Sequence, residues 1–276
     1  MSDARRSLPI AVFDSGIGGL TVLHELLVSL PEEDYVYLGD TEGFPYGTKS
    51  AAWLRPRIER LVTYLLDRGA KLLVVACNSA TSAATDVVRE IAGARGVGVL
   101  TVVDPEAEIA AAITDSGRVG VLATPTTVEA GAYRHALEAQ AGSRELEVTE
   151  VAAGDLAPII QNGFPFDDHV IDTVRAYCAP LKKAGVDTLI LGCTHYPLVA
   201  PMLQRILGRD VRLVTAGHAL AAAAQRALGA RSLEAASSGE GRYRFLCTGD
   251  VESFRELGTR FLQMPLGEVE HVELGA

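Results

Sequence analysis

The chain has 276 residues, 48% apolar and 22% charged, which is enough to bury one large core or two modest ones and excludes bulk disorder. A net charge of −10 excludes broad nucleic-acid binding, because phosphate backbones repel such a surface. No apolar run reaches membrane-spanning length and residues 1–9 lack the apolar core of a signal peptide, so a cytoplasmic protein with no membrane partner is expected.

Strand, loop and helix patterns alternate along the chain. Residues 10–13 are a short apolar run, followed by Asp14-Ser-Gly-Ile-Gly-Gly19 and a helical stretch over 20–30 that Pro31 stops. Residues 35–38 read as a second strand, Pro45-Tyr46-Gly47 as a loop, and 51–66 as an amphipathic helix with Leu54, Ile58, Leu61, Val62 and Leu65 on one face. A buried strand over 72–76 ends in Cys77-Asn78-Ser79, with a helix after it. Further strands are expected over 97–103, 119–122 and 189–191, and helical patterns over 173–181 and 219–228. A polar loop over 229–241, a strand over 243–247 and a helix over 251–262 close the chain. This alternation predicts mostly parallel sheet with helices on both faces. Ligands in such folds bind beyond the carboxyl ends of the strands, where Asp14, Cys77, Thr124 and Cys193 all lie.

A faint internal repeat is visible: strand to Asp14 and strand to Cys77, then strand to Thr124 and strand to Cys193, with separations of 63 and 69 residues. Two α/β units facing each other would put one cysteine on each side of a shared cleft. The cysteines, at 77, 178, 193 and 247, are too sparse for a disulfide scaffold, and no two have the CxxC spacing of a zinc or redox site. Cys178 falls in a helical pattern and Cys247 in the late strand, so both read as core.

Two thiols on opposite sides of a carbon suit racemisation. The reaction removes a weakly acidic α-proton from one face and returns a proton to the other, one sulfur as thiolate and the other as thiol. Cys77 ends an apolar strand and is followed by polar residues at a helix start, where backbone N–H groups favour an anion. Taken alone it also suits a small buried hydrophobe. Gly192-Cys193-Thr194-His195-Tyr196-Pro197 gathers a thiol, a hydroxyl, an imidazole and a phenol in one loop, and His195 can exchange a proton with Cys193 or bond a substrate. Asp14 and Ser15 precede a glycine-rich helix start without a Walker lysine or a GxGxxG pattern. That loop serves either tight strand-to-helix packing or a site beside a substrate ammonium. Tyr46 and Gly47 offer a phenol and backbone donors to a carboxylate, in what is also an ordinary turn sequence.

With these pieces assembled, the chain resembles the glutamate racemases of the aspartate/glutamate racemase superfamily. The resemblance runs nearly end to end, through Phe13-Asp-Ser-Gly-Ile-Gly-Gly-Leu20, Leu38-Gly-Asp-Thr41, Ala76-Cys-Asn-Ser-Ala80, Gly120-Val-Leu-Ala-Thr124, Leu191-Gly-Cys-Thr-His-Tyr-Pro-Leu198 and Thr248-Gly-Asp250. It implies two similar α/β domains, residues 1–98 with 212–276 and residues 99–211, with the active site in the cleft between them. It implies Cys77 and Cys193 as the acid/base pair, supported by Asp14 and His195, with no pyridoxal phosphate and no metal. Ser15, Tyr46, Gly47, Asn78, Ser79, Thr124, Thr127 and Thr194, with Asp14 and His195, would hold glutamate. It also implies a homodimer, and D-glutamate as a precursor of peptidoglycan in the cytoplasm. Gln161 stands where many members carry a glutamate thought to assist the second cysteine, and glutamine cannot relay a proton. His195 alone, Asp155, or slower turnover in one direction are the alternatives this leaves. Ser79 replaces a frequent threonine and keeps the hydroxyl. Rival readings are a racemase of aspartate or another amino acid, a racemase-like binding or regulatory protein, and a phosphate-binding enzyme built on the Asp14 loop.

Overall fold

A computed structural model describes residues 3–142, 144–163, 167–236 and 239–275. Part of the expected loop over 229–241 (Ser237 and Ser238) and the first two residues lie outside them. The strands are β1 (Ile10–Asp14), β2 (Tyr35–Gly39), β3 (Leu72–Val75), β4 (Gly98–Thr101), β5 (Arg118–Ala123), β6 (Glu147–Ala152), β7 (Thr188–Gly192), β8 (Arg212–Val214), β9 (Tyr243–Cys247) and β10 (Val269–His271). They form two separate, wholly parallel sheets, in the orders β10-β9-β2-β1-β3-β4 and β6-β5-β7-β8.

The central strands β1, β3 and β7 are buried at every residue, which is why their sequences are continuous apolar runs rather than alternating ones. The strands that the sequence pattern misses are peripheral or short. In β6 only Val151 is buried, so no period-two signal exists, and β8 and β10 have three residues each. The strand expected over 97–103 shortens to β4, because a helix opens at Val103. Pro105 cannot donate to a ladder and fits a first turn, where Asp104 also suits the helix dipole. The tail returns to the first sheet: β9 pairs with β2 in parallel register, Leu38 beside Leu246.

Sheet membership locates the crossings between the halves. β4, which begins at Gly98, pairs with β3, and β8, which begins at Arg212, pairs with β7. The chain therefore leaves the first sheet after Thr101 and the second after Val214. The helix Ala216–Arg231 then packs on the helices Leu20–Ser29 and Val103–Ile113, one from each half.

Register brings the chemistry together. Phe13 pairs with Val75, so Asp14 and Cys77 emerge at one sheet edge. Ala123 pairs with Gly192, so Thr124 and Cys193 emerge together at the edge of the other. Among the described residues no helix is long and apolar enough to cross a membrane. The fully buried Ile190 lies in β7, next to the strand end that carries Cys193. Ile190→Ala is expected to cost about 2–5 kcal/mol, read as a lower urea midpoint; an unchanged midpoint would show that this strand is not part of the cooperative core.

Candidate active site

The first face of the site is built on Asp14. Its carboxylate is fully buried, and Oδ2 accepts backbone N–H groups from Gly16 at 3.1 Å and Gly19 at 3.0 Å. Glycine is required at 19, since a Cβ there would stand 2.6 Å from that of Asp14. Burial raises the Asp14 pKa, while these N–H groups and a hydrogen bond with Cys77 draw it back. Cys77 caps the helix Asn78–Ala94, its sulfur accepting the Ala80 N–H at 3.4 Å. Burial, followed by the neighbouring Asp14 charge, pushes its thiol up to about 12.

The second face comes from the turn after β7. Cys193 Sγ lies 3.8 Å from Nδ1 of His195, whose Nε2 lies 3.0 Å from Oε1 of Gln161. An amide oxygen accepts only, so this contact puts the ring proton on Nε2 and turns the Nδ1 lone pair to the sulfur. Phe44 and Phe261 flank the imidazole, with ring centres 5.4 Å and 5.2 Å away. Burial drives its pKa down to about 3, so the ring is neutral. Burial also raises the Cys193 thiol, with the charges of Asp14, Cys77 and Glu106 adding to it.

The two faces touch directly. Thr194 Oγ1 donates to Asp14 Oδ1 at 3.4 Å, and Thr21 Oγ1 donates to the Thr194 carbonyl at 3.1 Å. Gly18 permits this approach, because a Cβ there would stand 2.3 Å from Thr194 Oγ1 and 2.4 Å from His195 Nδ1. Ser79 Oγ meets Thr124 Oγ1 at 2.9 Å, and Thr127 Oγ1 lies 3.1 Å further along the same chain of hydroxyls.

Cys77 and Cys193 line one cavity with Ser15, Tyr46, Gly47, Asn78, Ser79, Thr124, Thr194 and His195. Of the expected residues, only Asp14 and Thr127 stand behind this lining. The cavity is about 20 Å³, room for one water molecule, so an amino acid needs more space than this structure holds there. Tyr46 departs from the expectation in one respect. Its phenol is bonded to the buried Asp40 rather than offered to the cavity. Asp40 also takes Arg57 Nη2 at 2.7 Å and Thr248 Oγ1 at 2.6 Å, which explains both the Leu38-Gly-Asp-Thr41 and the Thr248-Gly-Asp250 segments: they anchor the loop carrying Tyr46 and Gly47. Asp155 is exposed and faces Tyr177 at 3.5 Å, away from His195. Cys178 and Cys247 are buried elsewhere, and all four cysteines are free.

A buried trio escaped the sequence reading. Asn78 Nδ2 donates to Tyr133 Oη at 2.6 Å and to Glu106 Oε2 at 3.2 Å, and the Tyr133 hydroxyl donates to the same Glu106 oxygen. Burial pushes Glu106 up to about 8 against these hydrogen bonds. The available signal was its place in the helix Val103–Ile113: Glu106 shares the buried face with Val103, Ala107 and Ala110.

Comparison with known proteins gives the chain its family. The family model for Asp/Glu/Hydantoin racemase matches residues 23–224. The chain belongs to this racemase family. It is 40% identical to a glutamate racemase of Acidothermus cellulolyticus over 96% of this chain and 98% of that one. The solved glutamate racemase of Bacillus anthracis superposes with a TM-score of 0.90 at 34% identity, covering 97% of this chain and 98% of that one. That of Francisella tularensis, solved with D-glutamate, also gives 0.90, at 32% identity and 98% coverage of both chains. Among the described residues of this family member, no three His, Cys, Asp or Glu side chains are grouped to hold a metal ion.

The neutral His195 has a consequence for stability. Its folded pKa is depressed to about 3, so the unfolded chain takes up a proton below the ordinary value of about 6.5 and the folded chain does not. The stability tied to the neutral ring is complete above that value and is lost as pH falls toward 3. In His195→Gln this acid-linked loss should vanish, so the gap in denaturant midpoint between wild type and variant changes in the variant's favour from about pH 7 to about pH 4. A gap independent of pH would refute the buried neutral state.

Proposed function

We propose that this chain interconverts L- and D-glutamate by a two-thiol mechanism, with Cys77 and Cys193 on opposite faces of the α-carbon. The observation that carries the reading is the convergence of two free, buried cysteines, from the ends of β3 and β7 in different sheets, on one cavity. One sulfur, as thiolate, takes the α-proton. The electron pair left on carbon is drawn into the α-carboxylate, and the opposite thiol returns a proton to the other face. Each turnover exchanges the protonation states of the two sulfurs.

Raised thiol pKa values suit this task. A thiolate held at high pKa is a stronger base. The cost is a small resting thiolate population, which the arriving substrate ammonium offsets by its positive charge. Asp14 accepts from Cys77 on one side and from Thr194 on the other. On the opposite face Nδ1 of His195 accepts from Cys193, with Gln161 orienting the ring. Gln161 keeps the orienting hydrogen bond of a glutamate but not its charge, so an imidazolium at 195 has no counter-charge from that side. Enantiomers have equal free energy in water, so kcat/KM is equal in both directions. Any asymmetry from Gln161 falls on kcat and KM together.

D-Glutamate supply for peptidoglycan in the cytoplasm, and a homodimeric assembly, complete the reading; the family resemblance supports both. Incubation with L-glutamate, and separately L-aspartate, in deuterated solvent without added cofactor is the direct test. Optical rotation should decay for glutamate with deuterium entering at the α-carbon, and absence of exchange with either acid would sink the proposal. Cys77→Ser and Cys193→Ser should each abolish racemisation, and full activity in either contradicts the two-thiol mechanism. Gln161→Glu should shift the rise of kcat/KM to lower pH, because a carboxylate at Nε2 makes the imidazolium, and hence the Cys193 thiolate, easier to form. An unmoved profile removes Gln161 and His195 from the proton path.

A further inference from the structure

Asn78 lines the cavity between the two thiols and is 3% exposed. Its amide carries two N–H donors and one acceptor oxygen. Both donors are committed behind the cavity, to Tyr133 and to Glu106, while Oδ1 is buried with no hydrogen-bond partner. A buried acceptor left unpaired is costly unless a ligand completes it. Which end of an amide faces a ligand is decided by what its other end must bond. One Glu106 oxygen, Oε2, accepts from both Asn78 and Tyr133, so the amide end that faces it must be the NH₂.

We propose that Glu106 is a positioning residue for amino-group recognition: it holds the NH₂ of Asn78 turned away from the cavity, so that the amide presents its oxygen to the α-ammonium of the substrate. The proposal rests on the amino-acid racemase reading of the site. Glu106 touches no reacting atom. With glutamine at 106 the side chain can donate instead of accept, the Asn78 amide is free to turn over, and its NH₂ then confronts the ammonium donor to donor.

The test separates ammonium recognition from general damage to the cavity. In Glu106→Gln, KM for both L- and D-glutamate should rise roughly tenfold to a hundredfold, the range for loss of a hydrogen bond to a charged group, with a much smaller change in kcat. Glutarate, which has both carboxylates of glutamate and no ammonium, should inhibit the variant and the wild type with equal Ki. The charge-conserving double variant Asn78→Asp with Glu106→Gln should recover most of the lost affinity. The carboxylate at 78 offers an oxygen in both directions, and the glutamine at 106 supplies the donor it needs. This pair also serves if the single variant does not fold. Parallel weakening of glutamate and glutarate, unchanged KM in the single variant, or no recovery in the double variant overturns the proposal. Wild-type exchange with aspartate in place of glutamate moves the same test to aspartate and succinate. Exchange with neither acid overturns the racemase reading and this proposal with it.

Discussion

The buried carboxylate of Asp14 is the point on which both halves of the molecule converge. A charge without solvent persists only if hydrogen bonds surround it. Here the donors are the backbone of its own loop, the thiol after β3, and the hydroxyl of Thr194 after β7. The glycines at 18 and 19 follow from that requirement. One loop must curl around the carboxylate while a second chain segment presses on it from the opposite sheet. The contact joins the halves and places one sulfur on each side by the same means.

Around this point the titratable groups are buried. Raising the Cys77 thiol from 9.0 to about 12 corresponds to roughly 4 kcal/mol against ionisation. That burden is tolerable because the resting state has no need of the thiolate. In the proposed mechanism the substrate's own charge would release that base strength. The same burial governs the supporting residues. The imidazole of His195 stays neutral between two aromatic rings, and Glu106 titrates far above an ordinary carboxyl.

Legibility in the sequence followed burial and locality. The central strands read as apolar runs because both faces are covered, and the cysteine motifs stood out because polar residues crowd a strand end. Thr124, Ser79 and Thr127 were named singly, yet their function lies in a shared row of hydroxyls that crosses from one sheet to the other. In the sequence Gln161 stands out only as a lost proton relay, while in the fold its acceptor oxygen sets the tautomer of His195. Asp40 and Thr248 belonged to conspicuous segments without a visible reason, since their meeting requires β9 to lie beside β2.

By itself the sequence determined the α/β class, the positions of Asp14, Cys77, Thr124 and Cys193 at strand ends, and the racemase resemblance. Each of these is written in local periodicity and short motifs. Only the tertiary structure decided the strand order within each sheet, that the Tyr46 phenol is spent on Asp40, and that Glu106 and Tyr133 stand behind Asn78. These are contacts between residues 6 to 55 positions apart along the chain, and which of them meet depends on strand order and sheet facing rather than on any local pattern.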